Sequence, residues 1–254
     1  MKVSVITVCF NAAAEIDETI RSVMVQDHGD IEHIVIDGGS TDGTQQRVLR
    51  YTECIAHFIS EKVNGVYDAM NKGLRVATGE VVAFVNAGDM IATRNTVGYM
   101  VRAFEQGGED VIYGDVLMVD PGDITKVKRF WKGGEYDLAN FRKGWMPPHP
   151  GTYIRRSAYE RFGLFNTNLK IGADYELMFR FLYRHRLSAR YVPKVLVRFR
   201  LGGMSNRSLA HILQANREVY RSWALNGERA SPLMVPRKWM RKLGQMLRRG
   251  RGEL

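Results

Sequence analysis

Only two cysteines occur in the chain, Cys9 and Cys54, with no Cys-x-x-Cys and no paired spacing, which speaks against a disulfide framework or a thiolate metal cluster. Both lie in apolar stretches, so two buried thiols in a reducing compartment are expected. No apolar run approaches the ~20 residues that a membrane-spanning helix needs. The opening MKVSVITVCFN has one basic residue and no small-residue cleavage site, so a cytoplasmic protein, or one held at the inner face of the membrane, is expected. Phosphate-cradling glycine motifs are missing too, with no GxxxxGK[ST] and no GxGxxG after the first apolar run, which disfavours a P-loop ATPase and a dinucleotide enzyme. There is no GxSxG or HExxH, and the six histidines show no ligand spacing, so serine-hydrolase and zinc chemistry lose their basis.

What is present is ordinary globular composition, 45% hydrophobic and 25% charged over 254 residues. A chain of this length buries about three quarters of its unfolded surface and needs no staples. The net charge of +10 is uneven: residues 236–254 carry seven basic side chains against Glu253 alone, so most of the excess sits in the tail. A basic surface spread over one face, as nucleic acid would require, is therefore not expected.

The first 120 residues alternate short β-rich apolar runs with stretches of helical period, the pattern of a parallel sheet covered by helices. Strands are expected at 3–8, 31–36, 57–60 and 80–85. Helices are expected from a cap at Asn11 to about Gln26, after the loop Asp37–Thr44, at 66–76 and at 93–104. Residues 111–119 and 125–130 read as a hairpin around Pro121-Gly122. The stretch 132–151 is too rich in Gly, Pro and aromatics for regular structure and is expected to be a functional loop. Helices at 157–162, 173–184 and 209–223 flank an extended segment at 189–201. One domain over 1–226 and a basic tail over 227–254 are expected.

Ligands of open α/β sheets sit beyond the carboxyl ends of the strands. Asp37 follows the second strand, Glu61 the third and Asp89 the fourth, so three carboxylates can converge on one rim; each alone can equally cap a helix.

At these positions the sequence resembles family 2 glycosyltransferases of the GT-A fold. The resemblance rests on Ser4–Asn11, Val35–Thr44, Glu61–Gly73, Val82–Asp89 and Gly172–Leu177, in that order, and runs from residue 3 to about 206. The segment 61–73 and Gly202-Gly-Met-Ser205 resemble the bacterial exopolysaccharide branch, which includes colanic-acid transferases. The resemblance implies an α/β fold, Rossmann-like, with a mostly parallel sheet, helices on both faces, a small antiparallel portion and C-terminal helices.

It also implies roles. Thr7 and Asn11 would line the nucleotide cleft, Asp37 would accept from the base, a uracil N3–H, and Ser40 and Asp42 would hold this loop. Glu61, Asn64, Asp68, Asn71 and Lys72 would contact ribose, sugar or diphosphate, Lys72 as a phosphate counter-charge. Asn86, Ala87 and Gly88 would border the donor, and Asp89 would hold Mg²⁺ or Mn²⁺. Where most members have Asp-x-Asp, this chain has Asn86-Ala-Gly88, so Asp89 is the only carboxylate there. His149 would help bind phosphate or metal, or would be an exposed loop histidine. Asp174 would be the general base of an inverting single displacement, and its place in the first turn also complements the helix dipole.

Pro236 can open a tail helix in which Trp239, Leu243, Met246 and Leu247 form an apolar stripe among basic residues, an interfacial pattern. The expected partners are a nucleotide-sugar donor, a saccharide acceptor carried on a lipid diphosphate, and an anionic membrane, without nucleic acid. A second reading is a non-catalytic GT-A-like module held at the membrane by its tail.

Overall fold

The computed structural model describes residues 1–202, 209–237 and 240. Four strands, β1 (Val3–Cys9), β2 (Ile31–Asp37), β3 (His57–Ser60) and β4 (Val81–Phe84), pair in parallel in the order β3-β2-β1-β4. Between them run α1 (Ile16–Met24), α2 (Thr44–Val48) and α3 (Val66–Val76). The chain continues through a two-residue strand β5 (Met90–Ile91), α4 (Thr96–Gln106), and the antiparallel pair β6 (Val111–Val119) and β7 (Val127–Trp131). Then come β8 (Thr152–Arg155), α5 (Arg156–Phe162), α6 (Ala173–Met178), β9 (Ala189–Arg200) and α7 (Leu209–Leu225).

The sheet extends past β4 through β8, which is antiparallel to both β4 and β6 and so turns β6 parallel to the first four strands. β9 then pairs with β6 in parallel, and β5 closes the edge against β9. The result is a mixed α/β sheet, mostly parallel, with its antiparallel portion at β5, β7 and β8. Alternation along β1 explains the layers: Ile6 and Val8 enter one core with α3, α6 and α7, while Val3 and Val5 enter a second core with α4. Gly73 lets α3 lie close on β1, since a Cβ there would stand 2.5 Å from Ile6 Cγ2.

Several expectations change. β8 falls at the edge of the supposed irregular stretch and at four residues is too short to show a period; β5 is shorter still. The expected helix 173–184 is α6 followed by a π-helical segment, Phe179–Arg184, though Leu177, Phe181 and Leu182 are buried as the pattern requires. Asn11 does not cap α1: Glu15 precedes the helix, and Asn11 takes a left-handed φ of 47°. Cys9 is buried but Cys54 is exposed, and both are free. The body also continues beyond residue 226, because Tyr220 donates to the Pro232 carbonyl at 2.9 Å and Met234 is fully buried in the main core. The stripe at Trp239, Leu243, Met246 and Leu247, and residues 203–205 of the Gly202–Ser205 motif, lie outside the described residues. Among the described residues no helix is long and apolar enough to cross a membrane.

Candidate active site

The register Cys9↔Asp37↔Ser60 aligns the carboxyl ends of β1, β2 and β3, so the loops after them share one rim with Asn86–Asp89 after β4. The first two loops are laced together. The Asn11 N–H donates to Ser40 Oγ at 2.7 Å, and the Thr41 N–H donates to Asn11 Oδ1 at 3.0 Å. Asp42 accepts from the N–H groups of Ala13 and Thr44, each at 3.0 Å. Asn11, Ser40 and Asp42 are thus brought together as the framework of this loop pair.

Asp37 stands beneath them and is fully buried. Its Oδ2 accepts from the Gly39 N–H at 3.2 Å, the Ser40 N–H at 3.0 Å and the Ser60 hydroxyl at 2.7 Å, while the Ser40 hydroxyl donates to Oδ1. Burial opposes its charge, but the hydrogen bonds from Ser40, Ser60 and Gly39 hold the carboxyl below its ordinary value. A carboxylate so occupied organises the loop, a role different from the base contact expected of it. Thr7 is also fully buried, its hydroxyl 3.0 Å from His33 Nε2 and thus engaged below the cleft.

The third loop and α3 gather the next group. Lys72 and the exposed Glu61 form an ion pair at 2.5 Å, and Asp68 accepts from the Asn64 N–H at 3.0 Å. Helical spacing puts Asp68 and Lys72 on one stripe and Tyr67 and Asn71 on the adjacent one. Asn71 does not face ligand: it is buried, accepts from the Phe165 N–H and donates to the Phe165 carbonyl, both at 2.9 Å.

After β4, the Thr19 hydroxyl accepts from the Gly88 N–H at 3.0 Å and donates to the Asp89 carbonyl at 2.8 Å. Ala87 is tied back to Val8 by its N–H at 3.0 Å. The Asp89 carboxyl is buried and accepts from the Arg200 N–H at 3.0 Å. Burial pushes it up to about 8, against the pull of that N–H and of the Arg200 charge. Asn86 Oδ1 is buried without a hydrogen-bond partner. Among the described residues no group of three or more His, Cys, Asp or Glu side chains forms a ready metal cage. An unpartnered carboxamide oxygen and a nearby carboxyl are nevertheless hard donors that fit a divalent cation completed by diphosphate oxygens and water.

His149 is buried, stacked on Phe84 at 5.7 Å and edge-on to Phe165 at 5.6 Å, so it is not an exposed loop side chain. Burial pushes its pKa down, and the Asp174 charge opposes this. Asp174 lies in the first turn of α6, half-buried, its Oδ1 accepting from the Tyr175 N–H at 2.8 Å and 3.4 Å from the Tyr67 hydroxyl. The structure thus brings the start of α6, the loop carrying His149 and helix α3 together.

A sequence model of Glycosyl transferase family 2 matches residues 4–163. The chain belongs to that family. It is 31% identical over 213 residues to a PGL/p-HBAD biosynthesis glycosyltransferase of Mycobacterium bovis (strain BCG / Pasteur 1173P2), covering 80% of this chain and 78% of that one. Among solved structures, Staphylococcus aureus TarS 1-349 in complex with UDP superposes with a TM-score of 0.68 at 22% identity, covering 98% of this chain and 71% of that one. The mannosyltransferase PcManGT of Pyrobaculum calidifontis, in complex with GDP-Man and Mn²⁺, gives 0.64 at 22% identity, covering 93% and 68%. These likenesses establish the GT-A fold for this glycosyltransferase.

Three residues at this family 2 site escaped the sequence reading. Phe10 is 64% exposed where β1 meets Asn11, and a Cβ at Gly38 would lie 3.3 Å from its ring. Tyr67 sits inside a motif already singled out, and its helical spacing from Asn71 was the available signal. Arg200, beside Gly88 and Asp89, is brought to them by the β5–β9 pairing, which local sequence does not carry.

Proposed function

We propose that this family 2 glycosyltransferase moves a hexose from a UDP-sugar to a saccharide hydroxyl by a single inverting displacement, with Asp174 as general base. The observation that carries this reading is the meeting of α3 with the start of α6, which sets a half-buried carboxylate beside the helix bearing Asp68 and Lys72. As the acceptor oxygen attacks the anomeric carbon, the new glycosidic bond forms, the bond to the diphosphate breaks on the opposite face, and the acceptor proton passes to Asp174.

The chain's other residues bind and shape. The laced loops of Asn11, Ser40 and Asp42 form a rigid wall for the nucleoside, over which the exposed Phe10 ring offers a stacking face. Lys72 lies where it can exchange its Glu61 partner for a phosphate oxygen. A divalent cation held by Asp89 and Asn86 would supply charge neutralisation for the departing diphosphate. The UDP complex of TarS supports a UDP-sugar donor.

The acceptor in this reading is a lipid-linked saccharide of bacterial surface polysaccharide synthesis. It is supported by the resemblance to exopolysaccharide transferases and by the basic tail, in which each Lys or Arg near an anionic leaflet contributes roughly 1 kcal/mol of attraction. Calorimetric titration with UDP, GDP and ADP, each with and without Mn²⁺, tests the donor assignment. Selective UDP binding strengthened by Mn²⁺ is expected; absence of binding to all three would contradict it.

A further inference from the structure

The segment that delivers Asp174 is gripped from two sides, by α7, which lies outside the family match, and by α3. On one side, Glu218 of α7 is buried and accepts from three successive backbone N–H groups, those of Lys170 at 3.1 Å, Ile171 at 2.9 Å and Gly172 at 2.7 Å. Gln214, one turn earlier, donates to the same carboxylate at 2.9 Å. Gly172 permits this approach, because a Cβ there would stand 3.1 Å from Glu218 Cβ. On the other side, the Tyr67 hydroxyl donates to the Ile171 carbonyl at 2.5 Å and reaches Asp174 Oδ1 at 3.4 Å. Asn71, one turn along α3, holds the earlier part of the same segment through both backbone groups of Phe165.

These bonds link elements far apart in the chain, with separations of 46 residues from Gly172 to Glu218 and 107 from Tyr67 to Asp174. The carboxylate in this clamp is charged: burial works against that, but the N–H groups of Ile171, Gly172 and Lys170 and the Gln214 amide hold Glu218 below its ordinary value. Charge-assisted hydrogen bonds are about twice as strong as neutral ones, so the three amides before α6 are held firmly. The Tyr67 phenol is kept protonated by its burial and by the Asp174 charge, so it remains a donor.

We infer that Tyr67 and Glu218 are positioning residues that fix the Asp174 carboxylate against the donor helix, so that α7, outside the family match, is part of the transfer machinery. The inference rests on Asp174 being the base. Their own chemistry is not needed in the reaction; what they supply is a fixed base, and misplacing a reacting group by about 1 Å can cost on the order of 100-fold in rate.

The test compares Tyr67→Phe, Glu218→Gln and Glu218→Ala with Asp174→Asn in the full chain. UDP release is followed with UDP-glucose, UDP-galactose, UDP-GlcNAc and UDP-GalNAc, together with UDP affinity and amide hydrogen exchange over 169–175. Tyr67→Phe and Glu218→Gln are expected to lower kcat about 10- to 100-fold with donor KM within about twofold. Glu218→Ala should fall further, the conservative variant retaining part of the rate. Exchange at the amides of 170–172 should quicken at least about tenfold in both Glu218 variants while UDP affinity holds. Wild-type turnover in Tyr67→Phe and Glu218→Gln beside an inactive Asp174→Asn would overturn the clamp alone. Unchanged exchange at 170–172, or parallel loss of UDP affinity and kcat, would also overturn it. Full turnover in Asp174→Asn would remove the base assignment beneath it.

Discussion

The Tyr67 hydroxyl stands 3.4 Å from an oxygen of Asp174 although 107 positions separate the two residues. One is buried in the helix that follows the donor rim, the other opens the helix offered as the home of the base. Their contact joins α3 to the start of α6, the two elements on which the proposed transfer depends.

Asp37 is read as the organiser of its loop, with its carboxylate taken up by Gly39, Ser40 and Ser60. Asp37→Asn is expected to lower stability by about 1–3 kcal/mol, since a buried hydrogen-bonded charge is lost from its donors. UDP affinity should fall about tenfold while the preference for UDP over GDP is kept. Loss of that preference at unchanged stability, measured by calorimetry and denaturant unfolding, would restore Asp37 as the base reader.

Acid should weaken the fold in two stages. Burial pushes the His33 imidazole down to about 4 from 6.5, so the unfolded chain binds the extra proton between those values. Stability from His33 is therefore present above pH 6.5 and lost as pH falls toward 4. Glu32 is opposed by burial but taken down to about 2 by hydrogen bonds from Ser4, Thr78 and Lys2. Its contribution is present above pH 4.5 and lost as pH falls toward 2. Each amounts to about 3 kcal/mol. Urea midpoints measured from pH 7 to pH 3 should fall throughout, and His33→Gln should flatten the upper part of the curve.

The close seat of α3 on β1 predicts that Gly73→Ala costs about 2 kcal/mol, because a methyl group would enter Ile6 at 2.5 Å. Since α3 carries Lys72, Asp68 and Tyr67, UDP affinity should drop as well. A denaturant midpoint unchanged from wild type would show that the helix can shift without loss.

If Asp89 and Asn86 hold a cation on the diphosphate, Mn²⁺ should tighten UDP binding to the wild type and EDTA should reverse the gain. Asp89→Asn is expected to remove at least about tenfold of the Mn²⁺-dependent affinity and leave metal-free affinity within about twofold. Equal Mn²⁺ enhancement in the variant would exclude Asp89 from the site.

Much of this molecule is legible locally. The strands that line the rim, the hairpin at Pro121-Gly122 and the buried face of Leu177, Phe181 and Leu182 follow from period and turn chemistry. β8 escaped because four residues just after a proline-rich stretch carry no period, yet it sets the direction of half the sheet. At the site, residue type was informative and side-chain state was not. Asp37, Thr7 and Asn71 are all polar residues of the expected motifs, but each also bonds a partner supplied by another segment, Ser60, His33 and Phe165 respectively. Glu218 shows the same limit from the other side, since an isolated glutamate in a late helix gives no local sign that it holds the backbone ahead of Asp174.

The most direct test of the account is Asp174→Asn, with UDP release and UDP affinity measured on the same preparation. The account predicts that release falls at least about 1,000-fold while UDP binds within about twofold of wild type, as expected for a base that acts only in the transition state. Release at the wild-type rate would contradict the proposed mechanism.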